Sequence, residues 1–337
     1  MPPLPDVIVG PWRAVLVLGV TEILAWGAIF YPPVLIVPLI AHERGWSMTF
    51  AMGGFSLALL TAGLVSPRVG KLIDRHGGHR VMPIGSLLAA LGLASIVYAD
   101  HPAAYLAVWL LLGVATAATL YDPAFATLGR IFGAAARRPI TALTLAGGFA
   151  STVSWPATHV LLEAVGWRGT YLVYAALLAL VAAPLHAFAL PRTRADVAAP
   201  SDQSVQAPSA VLPPTGWPFL LVAAAFALMA LFGLTAAVAA SFAVMFGMAN
   251  GLLTIARGAV PLALFGAAGY GHLVGRIGGP YLVMQAIAPL ALAFVAERSC
   301  DAAVLAVTAA FATIAFIAFA AVRRPKALAG KARSRSP

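Results

Sequence analysis

The chain is 337 residues long, 61% hydrophobic and only 9% charged, with a formal net charge of +10. Soluble domains carry roughly 25% charged residues, so this composition excludes a chain that hides its apolar side chains in one water-facing globule; it calls for a lipid bilayer. A single cysteine, Cys300, excludes an internal disulfide, and no Cys/His cluster has metal-ligand spacing, which argues against a metal or other cofactor.

In chain order, apolar stretches fall at 12–40, 48–70, 81–99, 103–128, 139–163 and 168–190, then at 217–237, 240–264, 271–295 and 301–322. Each is long enough to cross a hydrocarbon core of roughly 30 Å at about 1.5 Å per residue. The expected fold is an all-α integral membrane protein of about ten transmembrane helices. The first stretch lacks a short apolar region followed by a small-residue cleavage site, so it reads as a mature helix rather than a signal peptide. After the sixth comes "PRTRADVAAPSDQSVQAPSAVLPPT", residues 191–215, too polar for lipid and rich in Pro, Ser and Ala, as expected of a linker. The predicted organisation is a six-helix bundle at 12–190, the linker at 191–215, a four-helix bundle at 216–323 and a basic tail at 324–337. Between 217 and 265 the only ionisable side chain is Arg257. As one helix that run would reach roughly 75 Å, more than two bilayer cores, so it must fold back, and a tight apolar reversal is expected at residues 235–241.

The positive charge is a topology signal. With ten spans both termini share one side, and the segments on that side hold sixteen Lys/Arg, from Arg13 through Arg68, Lys71, Arg75, Arg80, Arg130, Arg137 and Arg138 to the tail; the opposite loops hold Arg44, Arg168 and Arg298. The positive-inside rule places both termini in the cytoplasm of a multi-pass inner-membrane protein. The basic tail then faces anionic lipid headgroups rather than nucleic acid. Sliding the second half by 133 residues lays Phe265-Gly266 on Phe132-Gly133 and Pro289 on Pro156, so spans eight and nine match spans four and five. The second half then has counterparts of spans one, four, five and six, and lacks those of two and three. Losing two consecutive spans preserves the alternation of sides.

The loop after span two reads "SPRVGKLIDRHGGHR". Its Gly70, Asp74, Arg75, Gly77 and Arg80 resemble the signature of the major facilitator superfamily: Gly, three residues, Asp, a basic residue, one residue, Gly, then basic residues. Gly78 and His79 stand where that signature is usually basic. Span four keeps only Gly113 of its family motif, span five lacks the antiporter glycine-proline pattern, and residues 136–151 loosely resemble the start of span five in monocarboxylate-type members. The resemblance implies two helical bundles with a substrate near the bilayer midplane, lined by the first and fourth helices of each bundle. It implies a major-facilitator-like N-terminal bundle, an incomplete C-terminal one, and a cytoplasmic gate at Asp74. The plain alternative for that loop is a solvated basic segment that only sets topology.

A charge at the bilayer centre costs about 2.5–3.5 kcal/mol on insertion scales and therefore needs a partner or a wet cavity. Three qualify: Glu22 in span one, Asp122 in span four and Arg257 in span eight. By the 133-residue shift Arg257 matches Ala124, so the acid and base lie at similar depth and can face one another. Helical spacing adds Asn250, Thr254 and Pro261 to the Arg257 face, Thr119 and Arg130 to the Asp122 face, and Trp26 and Pro33 to the Glu22 face. Asp122 and Arg257 read either as a substrate-site pair or as a buried ion pair that fixes packing. Glu22, with no evident partner on its own helix, reads as a proton-titrating group or as a neutral structural acid. Trp26, Tyr31 and Tyr121 either line the site or simply pack; Gln285 and His159 are cavity groups or satisfied core polar groups. Gly271, Gly275 and Gly279 form small-xxx-small steps that permit close helix approach.

With no nucleophile, metal cluster or phosphate loop in view, an enzyme is not expected. Two functions remain. One is a secondary transporter of a small organic anion, coupled to protons and working by alternating access. The other is a non-transporting, shortened family member acting as a scaffold or partner subunit.

Overall fold

The structure is a computed structural model that describes residues 10–192, 217–233, 235–298 and 301–321. Cys300, the tail at 324–337 and all of the linker beyond Pro191 and Arg192 lie outside the described residues. Among the described residues there are helices and turns and no strand. Five helical stretches among the described residues are long and apolar enough to cross a membrane: Arg13–Arg44, Met48–His76, Gly78–Ile96, Pro102–Ala189 and Ala236–Phe265. The fourth has 88 residues, about 130 Å of helix, so it crosses more than once. Large apolar side chains on its outer surface confirm the solvent, with Leu180 75% and Phe188 77% exposed. In water such a surface would be an association patch; against lipid tails it is at home.

The chain divides into two compact units, one of residues up to Gln206 together with Thr254–Ala293, the other of Ala207–Leu253 with Phe294–Pro337. In the first, helix α1 (Arg13–Ala25) runs through a π-helical turn at Trp26–Phe30 into α2 (Pro33–Arg44). The prolines explain the turn: Pro32 and Pro33 offer no N–H to the preceding ladder, and α2 starts with proline where the donor would be orphaned anyway. Helix α3 (Met48–His76) is N-capped by Ser47, whose hydroxyl accepts the Phe50 N–H at 3.1 Å. It hands over to α4 (Gly78–Ile96) at Gly77, where φ is +83°. Helix α5 (Pro102–Thr119) is followed at once by α6 (Tyr121–Phe132), α7 (Arg137–Gly147) and α8 (Ala150–Leu177). Gly166 (φ 67°, ψ 179°) breaks α8 where the chain turns between predicted spans five and six.

Three polar links tie these helices. The buried His186 ring meets Thr21 Oγ1 at 2.9 Å and Ser86 Oγ at 3.1 Å, joining the first, third and sixth apolar stretches. At the opposite end Arg44 donates to the carbonyls of Ile96 and Val97, pairs with Asp100 at 3.1 Å and lies over the rings of Trp46 and Trp167. Beside it Glu43 accepts from Trp167 Nε1 at 2.7 Å and from Arg168. Tyr105, fully buried, donates to the Ala51 carbonyl at 2.8 Å.

The second unit contains α9 (Trp217–Phe232), the start of α10 (Ala236–Phe265), and α12 (Asp301–Ala321), which runs along α9. Phe226 meets Phe242 and Phe246 edge-on at 5.2 and 5.9 Å. The reversal between α9 and α10 is a correction to the sequence reading. It falls at the leading edge of the expected 235–241, with 236–241 already helical, because Gly233 takes φ +71° and Thr235 caps α10, its hydroxyl accepting the Val238 N–H at 3.3 Å.

Helix α10 ends at Phe265 and α11 (Tyr270–Arg298) starts five residues later, as α6 ends at Phe132 and α7 starts at Arg137. Both boundaries shift by 133 residues, and Gly133 and Gly266 both have positive φ, +55° and +77°. The repeat is thus present in local geometry. The glycines of α11 meet small residues of α3: a Cβ on Gly63 would lie 2.8 Å from the Gly279 carbonyl oxygen, one on Gly279 would lie 2.9 Å from that of Gly63, and one on Gly271 would lie 2.6 Å from that of Gly70. Gly275 has no room against Ser66. This seam is the close approach expected of the small-residue steps.

Candidate functional site

The site begins with a helix break. Leu120 is extended (φ −85°, ψ −160°) between α5 and α6. Pro123, with no N–H, sits in the first turn of α6, where orphan donors make its defect harmless. Asp122 lies in the same turn, so the free N–H groups and helix dipole favour its carboxylate. Against it comes Arg257 from α10, whose Nη2 donates to Asp122 Oδ1 in an ion pair within the first unit. Arg257 is also held 4.6 Å over the ring of Tyr281 on α11. Gly278, one turn before Tyr281, has no room for a Cβ against the Asp122 carboxylate.

The pair lines a cavity of about 20 Å³ whose wall includes Trp26, Tyr121, Ser66, Thr116, Tyr281 and Gln285. That volume holds about one water, whereas small-molecule pockets run to roughly 300 Å³ and more. The helices therefore close around the pair in this conformation. Two polar atoms on this lining, Arg257 Nε and Ser66 Oγ, are buried without a hydrogen-bond partner. Buried polar atoms are nearly always satisfied, so such atoms call for an explanation, a ligand or water among them.

Glu22 is fully buried, and contrary to expectation it has a partner on its own helix: Trp26 Nε1 donates to Glu22 Oε2 at 2.9 Å. The i, i+4 spacing through the start of the π turn brings the indole N–H onto the carboxylate. Glu22 Oε1 has no partner. Trp26 thus joins Glu22 behind the wall to the cavity in front of it, its ring 5.2 Å from Tyr121. Tyr31 packs 6.0 Å from Trp26 and 6.4 Å from Trp155 and is not part of the wall. Thr254 and Asn250 share the α10 face of Arg257 but lie outside the wall; Asn250 is exposed and belongs to the second unit. The expected Asp122 face also needs correction. The break at Leu120 separates Thr119 from Asp122, and Arg130 turns instead to the Asp74 carbonyl. His159 is exposed and pairs with Glu163 at 3.3 Å, so it is no cavity group, whereas Gln285 is one.

Sequence reasoning missed Ser66, Thr116 and Tyr281. Tyr281 stands one turn before Gln285 on α11, but an uncharged aromatic is common in membrane helices and nothing marked it out.

At the signature loop, the Asp74 carboxylate accepts the backbone N–H groups of Gly271 at 2.9 Å and His272 at 2.8 Å. These are orphan donors of the first turn of α11, so the acid caps that helix. His272 Nδ1 lies 3.0 Å from the Pro67 carbonyl. Arg75 and Arg80 are exposed.

A many-helix apolar bundle closed around a buried acid–base pair is the architecture of a multi-pass membrane transport protein. The chain belongs to the Major Facilitator Superfamily, whose family model matches residues 17–334. It is similar to Monocarboxylate transporter 11 of Homo sapiens, 36% identical over 126 residues, and to that of Mus musculus, 35% over 125. Each match covers 36% of this chain, and the matched stretch spans about a quarter of either relative, 26% and 27%. In fold it is similar to the crystal structure of the human organic anion transporter MFSD10 (TETRAN), with a TM-score of 0.69 at 14% identity, covering 95% of this chain and all of that one.

Proposed function

We propose that this chain is a proton-coupled secondary transporter of small organic anions, with monocarboxylates the leading substrate class. The observation that carries the reading is the Asp122–Arg257 ion pair on the wall of the closed cavity. In a low-dielectric site, net charge is what must be avoided. A substrate carboxylate joining an ionised pair would put two anions on one guanidinium, and protonating Asp122 alone would strand the arginine. Taking up a proton on Asp122 together with a carboxylate on Arg257 keeps the site neutral, because the substrate replaces the aspartate as the guanidinium's partner. Arginine suits the role, since its fork can hold a carboxylate through two parallel hydrogen bonds. Glu22, behind Trp26, is the second titratable acid. Asp74 serves as the cytoplasmic gate by holding the start of α11. The names of the relatives, a monocarboxylate transporter and an organic anion transporter, agree with this chemistry. The linker at 191–215 and both termini are placed in the cytoplasm of an inner-membrane protein on the charge distribution alone.

A second reading, a shortened member that serves as a scaffold, is favoured by one observation: among the described residues four helices follow residue 216, two fewer than in the first half by the repeat. Uptake of labelled short-chain monocarboxylates into proteoliposomes under an imposed pH gradient separates the two. Transport is expected in the wild type, stimulated when the outside is acid and abolished in Arg257→Ala but not by loss of insertion. Uptake unchanged in Arg257→Ala refutes the pair as the substrate site, and absence of uptake of every monocarboxylate tested supports the scaffold.

A further inference from the structure

A second cavity lies away from the Asp122–Arg257 pair, at the end of the first unit that carries the signature loop. It measures about 220 Å³ and is walled by Gly77, Gly78, His79, Thr127, Arg130 and Arg192, with Ile131 and Pro191 between them. Its position is set by three chain segments: the turn from α3 into α4, the last turn of α6, and the residues that follow the π-helical end at Leu185–Ala189.

The charge of this wall is one-sided. Arg130 and Arg192 have no carboxylate partner among the described residues, and no Asp or Glu lines the cavity. The neighbouring acid, Asp74, has its carboxylate committed to the α11 N–H groups. Arg80, Arg130 and Arg192 all lie close enough to act electrostatically on His79. Arg130 is fixed rather than free, because Nη1 donates to the Asp74 carbonyl, which leaves the rest of its fork available. Gly78 cannot carry a Cβ against Thr127, so the first turn of α4 comes close to the wall; Arg80 and Val81 donate their N–H groups to the Gly77 carbonyl, which leaves those of Gly78 and His79, both on the wall, outside the helical ladder. Other basic residues at this end, Arg68, Arg75, Arg137 and Arg138, line neither cavity, as topology signals need not.

We propose that this cavity binds a phosphate group. A tetrahedral dianion or a phosphodiester matches two guanidiniums, an imidazole and backbone donors better than a carboxylate, which offers only two acceptor oxygens. The group belongs either to the headgroup of an anionic membrane lipid or to a soluble phosphate compound. Bound there, it would join the turn after α3 to the end of α6 and to Arg192 at the start of the linker. Through Arg130 it would stand one hydrogen bond from Asp74, so the site is placed to reinforce the contact between Asp74 and α11. This assignment does not depend on what the chain transports.

The test uses the full chain purified in a neutral detergent. Thermal unfolding is followed with inorganic phosphate against chloride at matched ionic strength, and native mass spectrometry counts phosphatidylglycerol retained from mixed micelles with phosphatidylcholine. One phosphate group per chain is expected, with affinity weakened roughly tenfold or more in Arg192→Gln. The double variant His79→Gln/Arg192→Gln should weaken it further, and Arg138→Gln, an exposed arginine outside the cavity, should leave it unchanged. Saturable binding of inorganic phosphate identifies a soluble ligand; retention of phosphatidylglycerol alone identifies a lipid headgroup. Binding of neither, binding unaltered in both cavity variants, or an equal loss in Arg138→Gln overturns the proposal. Because Arg192 is exposed at the end of the described segment, its replacement does not threaten the fold.

Discussion

The proposed reading makes its sharpest claim about a pair of substitutions that cancel in charge. Arg257→Gln alone leaves Asp122 buried without its cation, and Asp122→Asn alone strands the guanidinium over Tyr281. Removing one member of a buried ion pair costs about 3–5 kcal/mol, which for a chain of 337 residues corresponds to a melting temperature lower by roughly 4–7 °C. The double variant Asp122→Asn/Arg257→Gln restores neutrality and keeps two amides that can bond each other within nearly the same volume. Its stability should return to within about 1 kcal/mol of wild type, because neutral replacement of a buried pair is often cost-free. Transport should not return, since neither the guanidinium nor the titratable acid remains. Both quantities are read on the same preparations, by fluorescence-monitored unfolding in detergent and by proton-driven uptake in proteoliposomes. If the stable double variant transports at the wild-type rate, the pair is only a packing device and the mechanism proposed for it is wrong.

Three further outcomes follow from the geometry. Gly275→Leu inserts a side chain where even a Cβ collides with the Ser66 backbone, so the seam between α3 and α11 must part; a loss of about 1–3 kcal/mol and a rise in labelling of a cysteine introduced at Ser66 are expected, and unaltered labelling would contradict the close approach. Asp74→Asn keeps the side-chain shape but removes the charge that caps α11, and should lower stability by about 0.5–2 kcal/mol while shifting accessibility of the Gly77 loop to added protease; an unchanged cleavage rate would argue that this loop only sets topology. Arg44→Met retains an apolar stem beside Trp46 and Trp167 but gives up the bonds to Ile96 and Val97, for an expected loss of about 1.5–3 kcal/mol in thermal unfolding, and a neutral result would mean that water replaces those bonds in full.

The residues most legible in the sequence were those that are expensive in lipid. Asp122 and Arg257 stood out as charges within apolar runs, and the 133-residue shift brought them to similar depth; the structure pairs them. Glu22 and Trp26 were placed on one face, yet their hydrogen bond was missed because the carboxylate was weighed as a lone titratable group rather than as the acceptor for an indole four residues on. Ser66, Thr116 and Tyr281 gave no signal because hydroxyls and aromatics are affordable in membrane helices, where a backbone carbonyl usually satisfies them. Asn250 and Thr254 show the limit of periodicity. It fixes which face of α10 they occupy but not how far along the helix the cavity extends. The reversal before α10 was misplaced because an alanine-rich run offers few landmarks, and the decisive residue, Gly233, differs from its neighbours only in the φ it tolerates.

The arrangement of α11 links these features. Its first turn is held by Asp74 at Gly271 and His272, its small face lies on α3 through Gly271, Gly275 and Gly279, and its next turns bring Gly278 against Asp122 and Tyr281 under Arg257. From Gly271 to Tyr281 is about 15 Å of helix, and no described break interrupts it. A change in the ion pair and a change at the signature loop therefore act on one continuous element. On the proposed reading, a substrate carboxylate that takes Arg257 from Asp122 alters the support of α11 at one end of that 15 Å stretch, while release of Asp74 frees the other. The glycine seam lets α11 slide or tilt on α3 without dragging large side chains past one another. On the same reading, closure around the Asp122–Arg257 pair and opening around a protonated acid with a substrate carboxylate on the arginine become two positions of the same helix, each electrically neutral at its centre.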